Sequence, residues 1–142
     1  MKKLLNTLKR ILLYIWQLPQ NLLGLALIMY YKPERKHLLD NGVTVYYSTK
    51  FIGGISLGDY SIVNMVHYRK KMEESIKRDT VRHEAIGHHK QSLMFGWLYL
   101  LIIGIPSITW CYIYGRYMEK TPNGYFWFWT ESWADELAGV KR

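Results

Sequence analysis

Charged residues avoid two long stretches of the chain, residues 11–31 and residues 91–115, and crowd into the segments around them. A helix that spans a bilayer needs roughly 20 apolar residues, so both stretches are long enough. Neither is uniform. Residues 3–16 alternate apolar and polar positions in the manner of an amphipathic, interfacial helix, and Pro19 ends or kinks it by removing a backbone donor. Residues 20–31 then make a second short helical piece. The second stretch carries Gly104 and Pro106 near its middle, so it can dip into a membrane and return as a helical hairpin.

Between the two runs the pattern changes period. Asn41-Gly42 is a turn signal, and Val43-Thr44-Val45-Tyr46-Tyr47 reads as a strand. Gly53-Gly54 is a further turn, and residues 55–63 read as a second strand, with Gly58-Asp59 as a bulge or turn. The two strands predict a small β-hairpin over residues 43–63. Residues 67–78 are dense in charge and read as a loop or a short exposed helix. Asp79 or Thr80 is suited to cap a helix that runs through Gln91. A polar loop over 116–124 leads to a last helix over 125–138, stopped by Gly139. The pattern predicts one α+β domain over residues 1–142. It is mainly helical and membrane-associated: interfacial helices over 1–31, the hairpin, a helix and membrane hairpin over 79–115, and a final helix.

Composition sharpens this picture. The 142 residues carry a formal charge of +8, and Lys2, Lys3, Lys9 and Arg10, then Lys32, Arg35 and Lys36, flank the apolar run. Attraction to an anionic membrane surface accounts for that placement, and no nucleic-acid motif competes with it. Six tryptophans and twelve tyrosines sit mainly at or near the runs, as rings at headgroup depth do. Basic residues lie before, between and after the two runs. Both runs are therefore expected to dip and return, with the intervening segments at the cytoplasmic face of the cell membrane. The basic, apolar N-terminal segment lacks a small-residue cleavage site and reads as retained. The single cysteine, Cys111, cannot form an internal disulfide.

The candidate chemistry lies in Arg82-His83-Glu84-Ala85-Ile86-Gly87-His88-His89 and in Glu131-Ser132-Trp133-Ala134-Asp135. In His-Glu-x-x-His on a helix, histidines four apart share one face and hold zinc, and the glutamate is the general base. Here His83 and His88 are five apart, about 140° around a regular helix. Three readings follow. A π-bulge near Ile86-Gly87 absorbs the extra residue; His83 precedes the regular helix; or Glu84 and His88 are the ligand pair, with Glu131 as third. His37, His67 and His89 read as surface residues, Gly53-Gly54 as no more than a turn, and Tyr125 to Trp129 as an interfacial or core stripe. Residues 55–57 have the character of a strand to which extended substrate adds.

The Glu-x-x-Ala-Asp pattern at Glu131 and Asp135 resembles the third-ligand helix of gluzincin metallopeptidases. The resemblance implies that Glu131 binds Zn2+ with His83 and His88, that Glu84 is the base, and that Asp135 hydrogen-bonds a ligand histidine. Trp16-Gln17-Leu18-Pro19-Gln20-Asn21, Gly53-Gly54-Ile55-Ser56-Leu57-Gly58 and Gly87-His88 followed by Gln91-Ser92 are similar to pieces of a group of small uncharacterised bacterial membrane proteins with a His-Glu-x-Gly-His segment. No substrate follows from that likeness. Three functions are compatible with the residues: a membrane-associated zinc metallopeptidase acting on a peptide or protein, a non-catalytic adaptor or immunity-type factor that keeps the fold without the metal, and a binder of anionic lipid.

Overall fold

The computed structural model describes residues 1–65, 74–121 and 123–142. His67 and most of the charge-dense segment, residues 67–73, lie outside the described residues, as does Pro122. The chain opens with helices α1 (Lys2–Trp16) and α2 (Leu18–Tyr31). They meet at Gln17 with a bend of 82°, and Pro19 sits in the first turn of α2, where its missing N–H costs nothing.

Four short strands follow: β1 (Arg35–Leu38), β2 (Thr44–Ser48), β3 (Gly54–Leu57) and β4 (Tyr60–Asn64). They form one mixed sheet in the order β1-β2-β4-β3. The Asn41-Gly42 turn joins β1 to β2, with Val43 N–H donating to Asn41 Oδ1 at 3.1 Å. The expected single hairpin over 43–63 is corrected in two ways. The Gly58-Asp59 turn splits its second strand into the antiparallel pair β3 and β4, and β2 runs parallel to β4. The residues of both strands suit either pairing, because each is β-branched or aromatic along most of its length. One face of the sheet makes the core. Val43, Val45, Tyr47, Val63 and Met65 pack with Ala85 from the helix above, with Leu39 and Val81 at the margin. Each fully buried valine or larger side chain contributes about 1.5–3 kcal/mol.

That helix is long and irregular. Its described part begins with α3 (Glu74–Arg82), so Asp79 and Thr80 lie within it and do not cap it. A π-helical segment, His83–His88, leads into α4 (His89–Phe95). The second uncharged run then breaks at Gly96, not at Gly104 and Pro106. Gly96 has φ +51°, and a Cβ there would lie 2.6 Å from Trp16 Cδ2. A 3₁₀ turn (Gly96–Leu98) and a second π segment (Leu100–Gly104) lead into α5 (Ile105–Tyr117), with Pro106 in its first turn. The bend between the two arms is 120°. Among the described residues no single helix is long and apolar enough to cross a membrane. A 3₁₀ turn (Gly124–Trp127) precedes α6 (Trp129–Ala138), which Gly139 ends.

The α1–α2 elbow is fastened to α4 by buried amides. Gln17, Gln20, Asn21 and Ser92 are fully buried. Gln20 Nε2 donates to Ser92 Oγ at 2.9 Å and to the Gly96 carbonyl at 2.9 Å, and Ser92 Oγ donates to Gln17 Oε1 at 2.7 Å. Asn21 Oδ1 accepts from Asp59 N–H at 2.8 Å, and so reaches the β3–β4 turn.

Candidate metal centre

The π segment is what brings the two histidines together. Hydrogen bonding from i to i+5 widens the turn, so residues five apart fall on one side. His83 and His88 accordingly meet edge to face, with ring centroids 4.8 Å apart, and both are buried. Widening the turn frees backbone carbonyls near its start, and the sheet supplies their donors. Ser56 Oγ donates to Glu84 O at 2.6 Å, and Asn41 Nδ2 donates to Ala85 O at 2.8 Å. Ser61 Oγ lies 2.8 Å from Ser56 Oγ and donates to it in turn.

Helix α6 crosses directly over this segment. Gly87 permits the approach: a Cβ at that position would lie 2.7 Å from the Ala134 carbonyl carbon. Two cations hold the far end of α6 in place, where the helix dipole favours them. Arg82 Nη2 donates to Ala138 O at 2.6 Å, and Lys90 Nζ donates to Leu137 O at 2.8 Å. Glu131 then faces both histidines. Its Oε2 is 3.1 Å from His83 Nε2 and 3.5 Å from His88 Nε2. His83, His88 and Glu131 are the group among the described residues that could hold a metal ion, with ligand atoms all within 4.8 Å of one another. Atoms about 2 Å from a tetrahedral ion stand about 3.3 Å apart, which the separations of Glu131 Oε2 from the two histidines bracket.

Each ligand atom is aimed by a neighbour. Asp135 Oδ1 is 2.7 Å from His83 Nδ1, and Gln91 Oε1 is 2.7 Å from His88 Nδ1. Both imidazoles thus carry a proton on Nδ1 and turn Nε2 toward Glu131. Gln91 Nε2 donates to Thr130 O at 2.9 Å, tying His88 to α6. Glu131 Oε1 accepts from Ser107 Oγ and, at 3.1 Å, from Thr130 Oγ1. Arg142 Nε donates to Asp135 Oδ2 at 2.8 Å, and its guanidinium lies 3.4 Å over the Phe126 ring. Phe126 in turn packs edge-on against His83 at 5.3 Å.

Electrostatics follow from this crowding. Burial alone would lower the His83 pKa, but the hydrogen bonds that its ring donates to Asp135 and Glu131 outweigh it and raise it to about 9. Burial would raise the Glu131 carboxyl, yet hydrogen bonds with His83 and His88 hold it well below the usual carboxylate range. Asp135 is depressed in the same way, against its burial, by His83 and Arg142.

Glu84 stands apart from this pairing. It is buried, and its Oε2 has no hydrogen-bond partner among the described residues. It lines a cavity of about 390 Å³ together with His88 and Glu131. A Cβ on Gly54 would lie 2.8 Å from Glu84 Cδ, so Gly54, expected as no more than a turn residue, opens strand β3 and keeps space for that carboxylate. Strand β3, at the sheet edge, contributes Ile55, Ser56 and Leu57 to the wall, and Tyr99 Oη donates to Ser56 O at 3.0 Å.

The expected residues His83, Glu84, His88, Glu131 and Asp135 therefore converge. His89 does not face solvent as expected. It is buried, with Nδ1 2.9 Å from the Gly58 carbonyl. His37 is exposed on β1. Of the aromatic group, Tyr125 lines the cavity, Phe126 packs on His83, and Trp127 is exposed. Ser107 and Arg142 were not among the expected residues, and Gln91 entered only as a helix end and through the resemblance, with no role at the site. Gln91 sits three residues after His88, a spacing that places it beside the ring on a helix; Ser107 and Arg142 have no such signature. Compared with known proteins, the chain matches no family model, no curated protein and no solved structure.

Proposed function

We propose that the chain is a membrane-associated zinc metallopeptidase, with His83, His88 and Glu131 as ligands. One observation carries this reading: the three ligand atoms cluster in a buried site, and Glu84 lines the same cavity as His88 and Glu131. Two imidazoles and one carboxylate make a donor set suited to zinc, and two of these residues, His88 and Glu131, line the cavity. When bound, zinc would acidify a water to a pKa of about 7 and polarise the scissile carbonyl. Glu84 would take a proton from the attacking water and hand it to the departing amine. Asp135 and Gln91 would keep the two Nε2 lone pairs aimed inward, and Ser107 would hold Glu131 in one rotamer. The edge position of β3 suits it to align an extended peptide. The two bent apolar helix pairs and the basic residues around them support a site at the membrane surface, on the cytoplasmic side.

A metal-free adaptor or immunity-type scaffold is the second reading. Its support is that His83, Glu131 and Asp135 already satisfy one another by hydrogen bonds. Zinc content of protein expressed with zinc present separates the two. The peptidase reading expects about one zinc per chain, lost in His88→Ala and Glu131→Ala. Wild-type protein without zinc overturns it.

A further inference from the structure

We propose that the rim of the metal-centre cavity lies in the hydrocarbon of an anionic bilayer, so that the site is loaded from the lipid side with apolar segments of membrane-borne polypeptides. The substrate class rests on the peptidase reading above; the placement of the rim does not.

The helices around the cavity are inverted relative to a water-facing helix. On α2 the buried residues are Gln20, Asn21 and Gly24, whereas Leu22, Leu23, Met29 and Tyr30 are exposed. On α4, Gln91 and Ser92 are fully buried and Met94 is 52% exposed. Helix α5 turns Ser107 inward onto Glu131 and leaves Ile105, Ile108 and Tyr112 outside. A helix facing water buries its apolar stripe and exposes its amides. The reverse arrangement fits surroundings less polar than the protein interior.

The tryptophans agree. Trp16 and Trp97 expose about half of their surface, yet each turns its N–H into the protein. Trp16 Nε1 donates to Leu93 O at 2.8 Å, and Trp97 Nε1 donates to Ile15 O at 2.9 Å. In water an exposed indole finds a partner in solvent. In hydrocarbon it needs an internal one, and only the apolar ring then faces out.

Charge selects the occupant. Helix α1 buries no residue, and Leu4, Leu8, Ile11, Leu12 and Ile15 form an exposed stripe opposite Lys3, Asn6 and Arg10, flanked by Lys2 and Lys9. That is the pattern of a helix lying in the plane of an anionic interface. The formal charge of +8 extends the same preference over the whole chain.

The cavity opens among exposed apolar residues of α2, α5 and the π segment before α5. Leu23, Leu101, Ile105 and Ile108 form its rim and are each at least 41% exposed. No lysine or arginine lines it among the described residues, and the carboxylates and imidazole that do are those of Glu84, Glu131 and His88. An acidic side chain finds no lysine or arginine on that wall, whereas an apolar one meets an apolar wall.

The test uses full-length protein in vesicles of phosphatidylethanolamine and phosphatidylglycerol. Nitroxides are placed singly, on a Cys111→Ser background, by Leu23→Cys, Ile105→Cys, Ile108→Cys, Lys36→Cys and Lys50→Cys. Labels at 23, 105 and 108 should be relaxed by oxygen and shielded from a water-soluble nickel chelate, and those at 36 and 50 should show the reverse. Rim labels open to nickel overturn the placement and leave the zinc question untouched. In the same vesicles, a leucine-rich peptide bearing a photo-crosslinker should label the segment around Leu101 and Ile105 of the Glu84→Gln variant. That labelling should be lost when aspartates replace its leucines. Equal labelling by both peptides, or labelling elsewhere, overturns the substrate class. Neither readout depends on turnover.

Discussion

His83 and His88 are five residues apart in sequence, yet their rings meet at 4.8 Å because the six residues from one to the other are π-helical. On a regular helix the same two side chains would diverge by about 140°. Deleting Ile86 should convert the segment to a regular helix with the histidines four apart. It should also preserve the facing of α3 relative to α4. Zinc binding should be retained or tightened in the deletion variant, measured by competition with a chromogenic chelator. Loss of binding in a folded deletion variant would contradict the assignment of His83 as a ligand.

Glu84 Oε2 has no hydrogen-bond partner among the described residues, and Glu84 lines the cavity beside His88 and Glu131. Glu84→Gln should keep the metal and abolish hydrolysis, because an amide cannot accept the proton of water. Metal analysis beside a peptidase assay decides this. A variant stripped of zinc would make Glu84 a ligand instead.

Gly87 is the point where the π segment touches α6, and added atoms there meet backbone that cannot swing aside. Gly87→Ala should destabilise the protein by about 1–3 kcal/mol, the usual range for overpacking. It should also weaken zinc binding by pushing Glu131 away from the histidines. Chemical denaturation and metal titration report the two effects separately. An unchanged midpoint would mean that α6 is not held this closely.

In metal-free protein, the His83 pKa is raised from 6.5 to about 9. A raised pKa contributes stability that is full below 6.5 and is lost as pH climbs through about 9. Glu131 and Asp135 are depressed from 4.5 and 3.8, so their contributions are present above those values and are lost as pH falls below them. Melting temperatures in chelator should therefore be highest between about pH 5 and 6.5 and decline toward pH 9. His83→Asn should remove the alkaline decline. A flat profile from pH 6.5 to 9 would count against the His83 pairing with Asp135 and Glu131.

Much of this protein is local and can be read along the chain. The stripe of α1, the elbow before Pro19, the Asn41-Gly42 turn and the stop at Gly139 each depend on residues within a few positions of one another. So does the recognition that His83, Glu84 and His88 form one group and Glu131 and Asp135 another. The spacing of the histidines even names its remedy, a π-bulge, though three remedies were open. What tertiary structure alone decided is nonlocal. Strand β2 could as well have paired with β3, and its residues do not distinguish that from the parallel pairing with β4. The sharp break falls at Gly96 because Trp16, eighty residues earlier in the chain, packs where a side chain would be. His89 turns inward because the β3–β4 turn offers it the Gly58 carbonyl. Ser107 joins the site through a hydrogen bond to Glu131, far along the chain, and Arg142 reaches Asp135 only from beyond the Gly139 helix end. Sequence pattern carries the period of an element; which elements meet is set by packing, and packing has no spacing to read.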